Sequence, residues 1–294
     1  MNKTLIEWVK NPDGSQGYTW NPITGCLNHV NGLCKGGGFP CYAHRLAHGR
    51  LRTRYTLGGV LAPSSDVWNA AVTDPFYPRF WEERLEDIKP SGAWWDSLSG
   101  RKPKGIFVCD MGELFGDWVP EEWQQEIFDY ITSDPMDRFY LLTKQPQNLI
   151  TWSFPENCWV GVTATDTLHF IDAHNWLHEV DAKVKFISVE PLLDWDGEVF
   201  RAIEYSISDR PVDWIIIGQQ TPVRKATTPK VEWITEIVEA ADQASVPVFL
   251  KDNLGESPDI AGYYPFYCDA TGFPLHHLRQ EMPKGGKEGE YETR

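Results

Sequence analysis

No apolar stretch in this chain is long enough to cross a bilayer as a helix. The opening residues, MNKTLIEWVKNPDG, lack the apolar core of a secretory signal. Both absences lead to the expectation of a cytoplasmic protein with no membrane partner. Positive charge is scarce. Lys and Arg number 27 against 42 Asp and Glu, for a net charge of −15, which argues against broad, nonspecific adhesion to nucleic acid or anionic lipid. Cysteine is sparse as well, at six residues. In a reducing compartment that number does not read as a disulfide framework. Cys109 and Cys158 lie in or beside strand-like runs and read as core residues. No solenoid or propeller repeat is present.

Three cysteines nevertheless fall in one glycine-rich stretch, GCLNHVNGLCKGGGFPCYAHR, at Cys26, Cys34 and Cys41. Thiolate is a soft ligand suited to iron–sulfur clusters or zinc. Three thiolates leave one metal position without a protein sulfur, where a substrate or cofactor can bind. The cysteines are separated by seven and six residues, which by itself is a weak cluster signal. Zinc is a concrete competitor, because His29 would complete a Cys3His set. Unligated, buried thiols are the third possibility. Gly36, Gly37 and Gly38 permit backbone conformations that help a loop wrap a compact centre. Downstream, HRLAHGRLRTR carries Arg45, Arg50, Arg52 and Arg54. It reads equally as an anion-binding segment or a solvated helix face.

From about residue 105 a βα rhythm sets in. Apolar runs at Gly105–Cys109, Phe139–Thr143, Trp159–Thr163, Lys185–Val189, Trp214–Gly218 and Val246–Lys251 lack polar alternation, as strands covered on both faces do. Tyr18–Trp20 is an expected first strand. Helices are expected at Glu121–Thr132, Thr167–Val180 and Glu232–Ala244. Repeated βα units of this kind imply parallel strands, and the pattern points to an α/β fold, a TIM-like barrel, complete or partial. An open doubly wound sheet is the alternative. The expected organisation is one domain over residues 1–282, with a cysteine loop at 25–42, a lid-like insertion at 60–104 and a mobile tail at 283–294.

Active sites of parallel α/β folds gather at the C-terminal ends of strands. Here those ends carry Asp110 and Glu113, Thr143 and Lys144, Thr163 and Thr165, Ser188 and Glu190, Gln219 and Gln220, then Lys251, Asp252 and Asn253. In a barrel they would converge on one cavity. Glu190 would bind an ammonium, a ribose hydroxyl or a metal, or else pair with Lys144 or Lys251. Strand-end hydroxyls and acids also cap helices, the bland reading of any single one.

The ordered motifs TWNPITGC with CYAHR, CDMGELFGDWVP, LLTKQPQNL, ENCWVGVTA, FISVEPLL, DWIIIGQQT and VFLKDNLG span nearly the whole chain. Together they resemble a phage-protein-like, three-cysteine-motif family related to radical S-adenosylmethionine enzymes and, distantly, to spore photoproduct lyase. The resemblance implies a TIM-like barrel and a [4Fe–4S] cluster on Cys26, Cys34 and Cys41, with S-adenosylmethionine at the unique iron. The implied activity is generation of a 5′-deoxyadenosyl radical that modifies an unidentified substrate, with a nucleoside or nucleic acid an appealing class. An electron donor such as flavodoxin or ferredoxin is the implied partner. Glu113, Thr143, Ser188 and Glu190, with Gln219 and Gln220, are candidates to hold the cofactor. Lys144, Glu190 and Lys251 are candidate catalytic groups, and Asn253 a substrate-side group. Two features depart from the family. Lys35–Pro40 separates the second and third cysteines, and Gly218-Gln219-Gln220-Thr221-Pro222 replaces a Gly-Gly-Glu-Ser-Gly-like run, so the role of that carboxylate does not carry over.

Overall fold

The computed structural model describes residues 1–63, 68–88, 100–200 and 212–283. Parts of the expected lid insertion, and the expected tail from residue 284 onward, lie outside the described residues. The chain divides into two compact units, Met1–Cys158 and Trp159–Arg294. Both are α/β; the first mixes parallel and antiparallel strand pairs and the second pairs its strands in parallel.

The first unit holds β1 (Asn2–Lys3), β2 (Tyr18–Trp20), β3 (Ile23–Thr24), β4 (His29–Val30) and β5 (Leu33–Cys34). These are followed by α1 (Tyr42–His48), α2 (Arg52–Leu57), β6 (Val60–Leu61), α3 (Trp68–Thr73) and β7 (Arg79–Phe80). It ends with β8 (Gly105–Val108), α4 (Glu121–Ser133) and β9 (Arg138–Thr143). β1 pairs antiparallel with β2, while β2–β8 and β8–β9 pair in parallel. α4 follows Pro120 and opens on Glu121 and Glu122, which complement the positive end of the helix dipole. Its Ile127, Phe128 and Ile131 are buried. β3, β7 and β6 form a small antiparallel sheet.

The cysteine loop contains a hairpin, β4–β5, with His29 opposite Cys34. Its turn is Asn31-Gly32, with φ of 49° and 80°. Positive φ at both central residues is what a tight hairpin turn requires, and Asn-Gly is the sequence best able to supply it. A side chain at Gly32 would also stand 2.7 Å from Nδ1 of His44.

In the second unit β10 (Cys158–Ala164), β11 (Val184–Val189), β12 (Trp214–Ile217) and β13 (Val248–Leu250) are parallel throughout. α5 (Thr167–Glu179) links β10 to β11, and α6 (Val231–Gln243) links β12 to β13. Asp166 caps α5 by accepting the His169 N–H at 2.8 Å. α6 buries Ile234, Ile237, Val238 and Ala241 along one stripe.

The register sorts the sheet residues of this unit into layers. Side chains alternate with a period of two, so Trp159, Phe186, Trp214 and Phe249 share one face. Trp214 meets the other three rings at 5.6–6.0 Å. Farther along that face come Thr163 and Ser188, which are register partners, then the strand-end rung of Thr165, Glu190, Gly218 and Lys251. An aromatic base thus underlies a polar rim. Among the described residues no helix is long and apolar enough to cross a membrane.

Candidate functional site

In the first unit the expected residues gather where β8 ends. Gly25 N–H donates to the Met111 carbonyl, and Glu113 N–H donates to that of Gly25. These bonds tie the cysteine loop to the loop after β8. Glu113 is buried. Its Oε1 accepts from Thr143 Oγ1 at 2.7 Å and the Phe115 N–H at 3.2 Å, and its Oε2 accepts from the Lys144 N–H at 3.1 Å. Burial outweighs these donors and the Lys144 charge, and raises the carboxyl above the usual glutamate range. The loop leading to Glu113 starts at Cys109, whose φ of 59° lies in the left-handed region. That conformation is uncommon without glycine and tends to occur at functional sites.

Cys26, Cys34 and Cys41 share this neighbourhood as free thiols. Cys26 Sγ accepts the Asn28 N–H at 3.2 Å. Burial pushes the Cys26 thiol up strongly, and the negative charge of Glu113 adds to that. Burial raises Cys34 too, opposed by Lys144 and the Gly36 N–H. Cys41 acts electrostatically on both. Gly36 lies between Cys34 and Lys144, where an added Cβ would be 3.8 Å from the sulfur and 3.5 Å from the lysine Cδ. The outward side chains of the basic segment, Arg45, Arg50, Arg52 and Arg54, are exposed. Ala43, Ala47 and Tyr55 turn inward to a small core with Phe76, Trp81 and Met111, packed by Cys26 and Cys41.

In the competing zinc reading His29 is the fourth ligand. Burial lowers its basicity, and neutral Nδ1 accepts the Gly32 N–H at 3.2 Å. Zinc at Nδ1 would have to displace that bond. Among the described residues, no three or more His, Cys, Asp or Glu side chains stand as a ready metal-binding group. The donor chemistry fits a thiolate-held cluster: three thiols, a glycine-rich loop and backbone N–H groups directed at sulfur.

In the second unit, Glu190 takes one of the two lysines considered for it. Lys251 Nζ lies 2.5 Å from Oε1, and Ser188 Oγ donates to Oε2 at 3.0 Å. Glu190 and Lys251 close β11 and β13, and the pair meets above Gly218 at the end of β12. A Cβ there would approach Lys251 Cδ to 2.9 Å and Glu190 Cγ to 3.1 Å. Gln219 and Asn253 bind one another, with Asn253 Nδ2 donating to the Gln219 carbonyl at 2.8 Å and Gln219 Nε2 donating to that of Asn253. Gln220 is buried beside them. Thr163 Oγ1 and Gln219 Oε1 are buried without a hydrogen-bond partner among the described residues. Thr165 and Asp166 have the bland role, contacting His169 and starting α5. Cys109, Cys158 and Cys268 are core residues.

The hairpin was the feature missed in the sequence, and its Asn-Gly step between short β-prone pairs was the available signal. A protein family described as "Protein of unknown function (DUF5131)" matches residues 3–271. No curated protein matches the chain.

Proposed function

Given that the chain belongs to this family of unknown function, we propose that it is a radical S-adenosylmethionine enzyme. In this reading its parallel strands form part or all of a TIM-like barrel, it works in the cytoplasm, and a nucleoside or nucleic acid is the first substrate class to test. One observation carries the reading: Cys26 and Cys34 of the cysteine loop feel the charge of Glu113, a buried carboxylate after the next parallel strand, and Cys41 acts on both thiols. With a [4Fe–4S] cluster and S-adenosylmethionine bound, the chemistry supplied is hydrogen-atom abstraction by a 5′-deoxyadenosyl radical.

The chain's own residues have separable tasks. Cys26, Cys34 and Cys41 would hold the cluster as thiolates, so loading must first overcome the burial that keeps Cys26 and Cys34 protonated. Glu113 would receive the cofactor's ammonium. Thr143 and the Lys144 N–H fix that carboxylate in place. Lys144 supplies positive charge beside Cys34. In the second unit the Glu190–Lys251 pair, backed by Ser188, presents both signs of charge to a polar ligand, and Thr163 offers a hydroxyl not yet satisfied. The alternative is a zinc-stabilised binding module, in which His29 would give up the bond its Nδ1 accepts from the Gly32 N–H or present Nε2 to the metal.

The test is anaerobic purification and reconstitution, followed by iron, sulfide and absorption measurements. Cluster loading that is lost in Cys26→Ala, Cys34→Ala or Cys41→Ala and retained in His29→Ala supports the reading. So does release of 5′-deoxyadenosine from S-adenosylmethionine under dithionite. Stoichiometric zinc with no cluster after reconstitution defeats it.

A further inference from the structure

Three imidazoles line up beside the cysteine loop. The His29 and His44 rings lie 4.9 Å apart, and His44 stacks on His48 at 4.0 Å. No Asp or Glu occurs from Gly14 to Ser65, so a carboxylate for this cluster must come from elsewhere in the chain. Asp74 supplies it, acting on both His29 and His44 and reaching His48 directly.

The informative geometry is at His48. Its Nδ1 lies 3.1 Å from the His44 carbonyl. A carbonyl only accepts, so Nδ1 carries the proton. This is the usual posture of a metal-ligating histidine, with one nitrogen donating to a backbone carbonyl and the other presented to the ion. Nε2 of the neutral ring then holds a lone pair, 3.5 Å from Asp74 Oδ1. Two lone pairs face one another favourably only with a cation between them. A charged N–H···O bond would bring the atoms to about 2.7–2.9 Å. Two ligands about 2.1 Å from a tetrahedral zinc ion stand about 3.4 Å apart, which is the spacing found.

The carboxylate is held in place. Asp74 Oδ1 also accepts the Phe76 N–H at 2.8 Å, and the Asp74 carbonyl accepts from Arg79 Nη2 at 3.1 Å. At 37% and 33% exposure the His48 and Asp74 side chains leave the gap open to an ion. His44 precedes His48 by four residues on α1, the spacing at which a helix offers two imidazoles to one metal. Burial lowers its basicity, His48 and His29 add to that, and Asp74 opposes it. Its ring is therefore neutral, as a ligand must be. It lies flat against His48, so two ligands stand in position and a turn of the His44 side chain brings the third.

We propose that His48, Asp74 and His44 bind a borderline divalent metal ion, zinc foremost, at a site separate from the three thiols, with water completing the coordination. The ion would fasten α1, which follows Cys41, to the Asp74–Phe76 segment. The Phe76 carbonyl accepts the Cys26 N–H at 3.1 Å, so the fastening lies directly behind the cysteine loop. The site does not depend on what the thiols hold.

Thiols also take zinc, so the probe is cobalt(II), whose thiolate charge-transfer absorption separates cysteine ligation from nitrogen and oxygen ligation. Full-length metal-free protein is titrated anaerobically. Wild type is expected to bind one cobalt ion without thiolate absorption, whatever its cysteines bind. Cys26→Ser/Cys34→Ser/Cys41→Ser is expected to keep that ion. His48→Gln and Asp74→Asn are expected to weaken it about tenfold or more; Asn retains the oxygen that accepts the Phe76 N–H. Zinc is expected to raise the unfolding midpoint of the triple variant and not that of the same variant carrying His48→Gln. Should the triple variant fail to fold, the wild-type and His48→Gln titrations decide alone. Cobalt bound solely with thiolate absorption, or bound equally by His48→Gln and Asp74→Asn, overturns the proposal. So does a stability that falls as His48 loses its proton and ignores added metal, the mark of a plain imidazolium–carboxylate pair. Failure to assemble an iron–sulfur cluster would sink the proposed function and leave this site standing.

Discussion

At the scale of single residues, Gly218 shows how much an absent side chain can determine. It ends the strand lying between those of Glu190 and Lys251, and only a hydrogen leaves room for the pair to meet. Gly218→Ala is expected to force the two apart and to cost about 1–3 kcal/mol, the usual penalty of overpacking, measurable as a lower urea midpoint. Glu113 gives a pH signature. Its carboxyl is raised in the folded state, so the folded protein binds more protons than the unfolded one above the ordinary glutamate value of 4.5. The stability it contributes is complete below that value and is lost as pH rises through the elevated folded value. Urea midpoints of the metal-free protein are expected to fall across this window, and Glu113→Gln to flatten the fall. The sequence placed both carboxylates at strand ends but did not decide the partner of Glu190. Lys144 and Lys251 were equivalent until the β11–β12–β13 order brought one of them across Gly218.

At the scale of elements, the βα rhythm was legible because strands buried on both faces leave dense runs of β-branched and aromatic residues. Trp214–Ile217 and Arg138–Thr143 lie within a residue of the expected bounds. Short elements escaped, since two-residue strands carry no periodicity and α1 has too few turns to show a stripe. The hairpin is the consequential one, because it fixes the spacing of Cys26 and Cys34. Gly32→Ala would place a Cβ in a left-handed conformation and against the His44 ring. It is expected to loosen the hairpin, seen as faster protease cleavage between Cys26 and Cys41 and weaker iron retention after reconstitution.

At the scale of the whole molecule, the succession of βα units was readable, and strand order and closure were not. Whether parallel strands form a ring depends on tilt and stagger, which no local pattern records. The close of the second unit was equally hidden. Arg279 is fully buried, 2.7 Å from both Asp242 and Glu281. Glu281 accepts the Val248 N–H, and its carbonyl accepts Trp214 Nε1. Arg279 and Glu281, which fasten β12, β13 and α6, lie beyond the residues matched by the family. Arg279→Met strands a buried carboxylate and is expected to cost about 3–5 kcal/mol, read by calorimetry as a fall in Tm.

The Asn31-Gly32 turn also gives the protein a chemical age. An asparagine before glycine loses ammonia when the glycine amide nitrogen attacks the carboxamide, and the cyclic imide reopens largely as isoaspartate, with an extra methylene in the backbone. Here that nitrogen is held by His29, so the folded turn shelters its own weakest linkage. Unfolded or long-stored material would lose this shelter, and the lengthened backbone would lie between the first two cysteines.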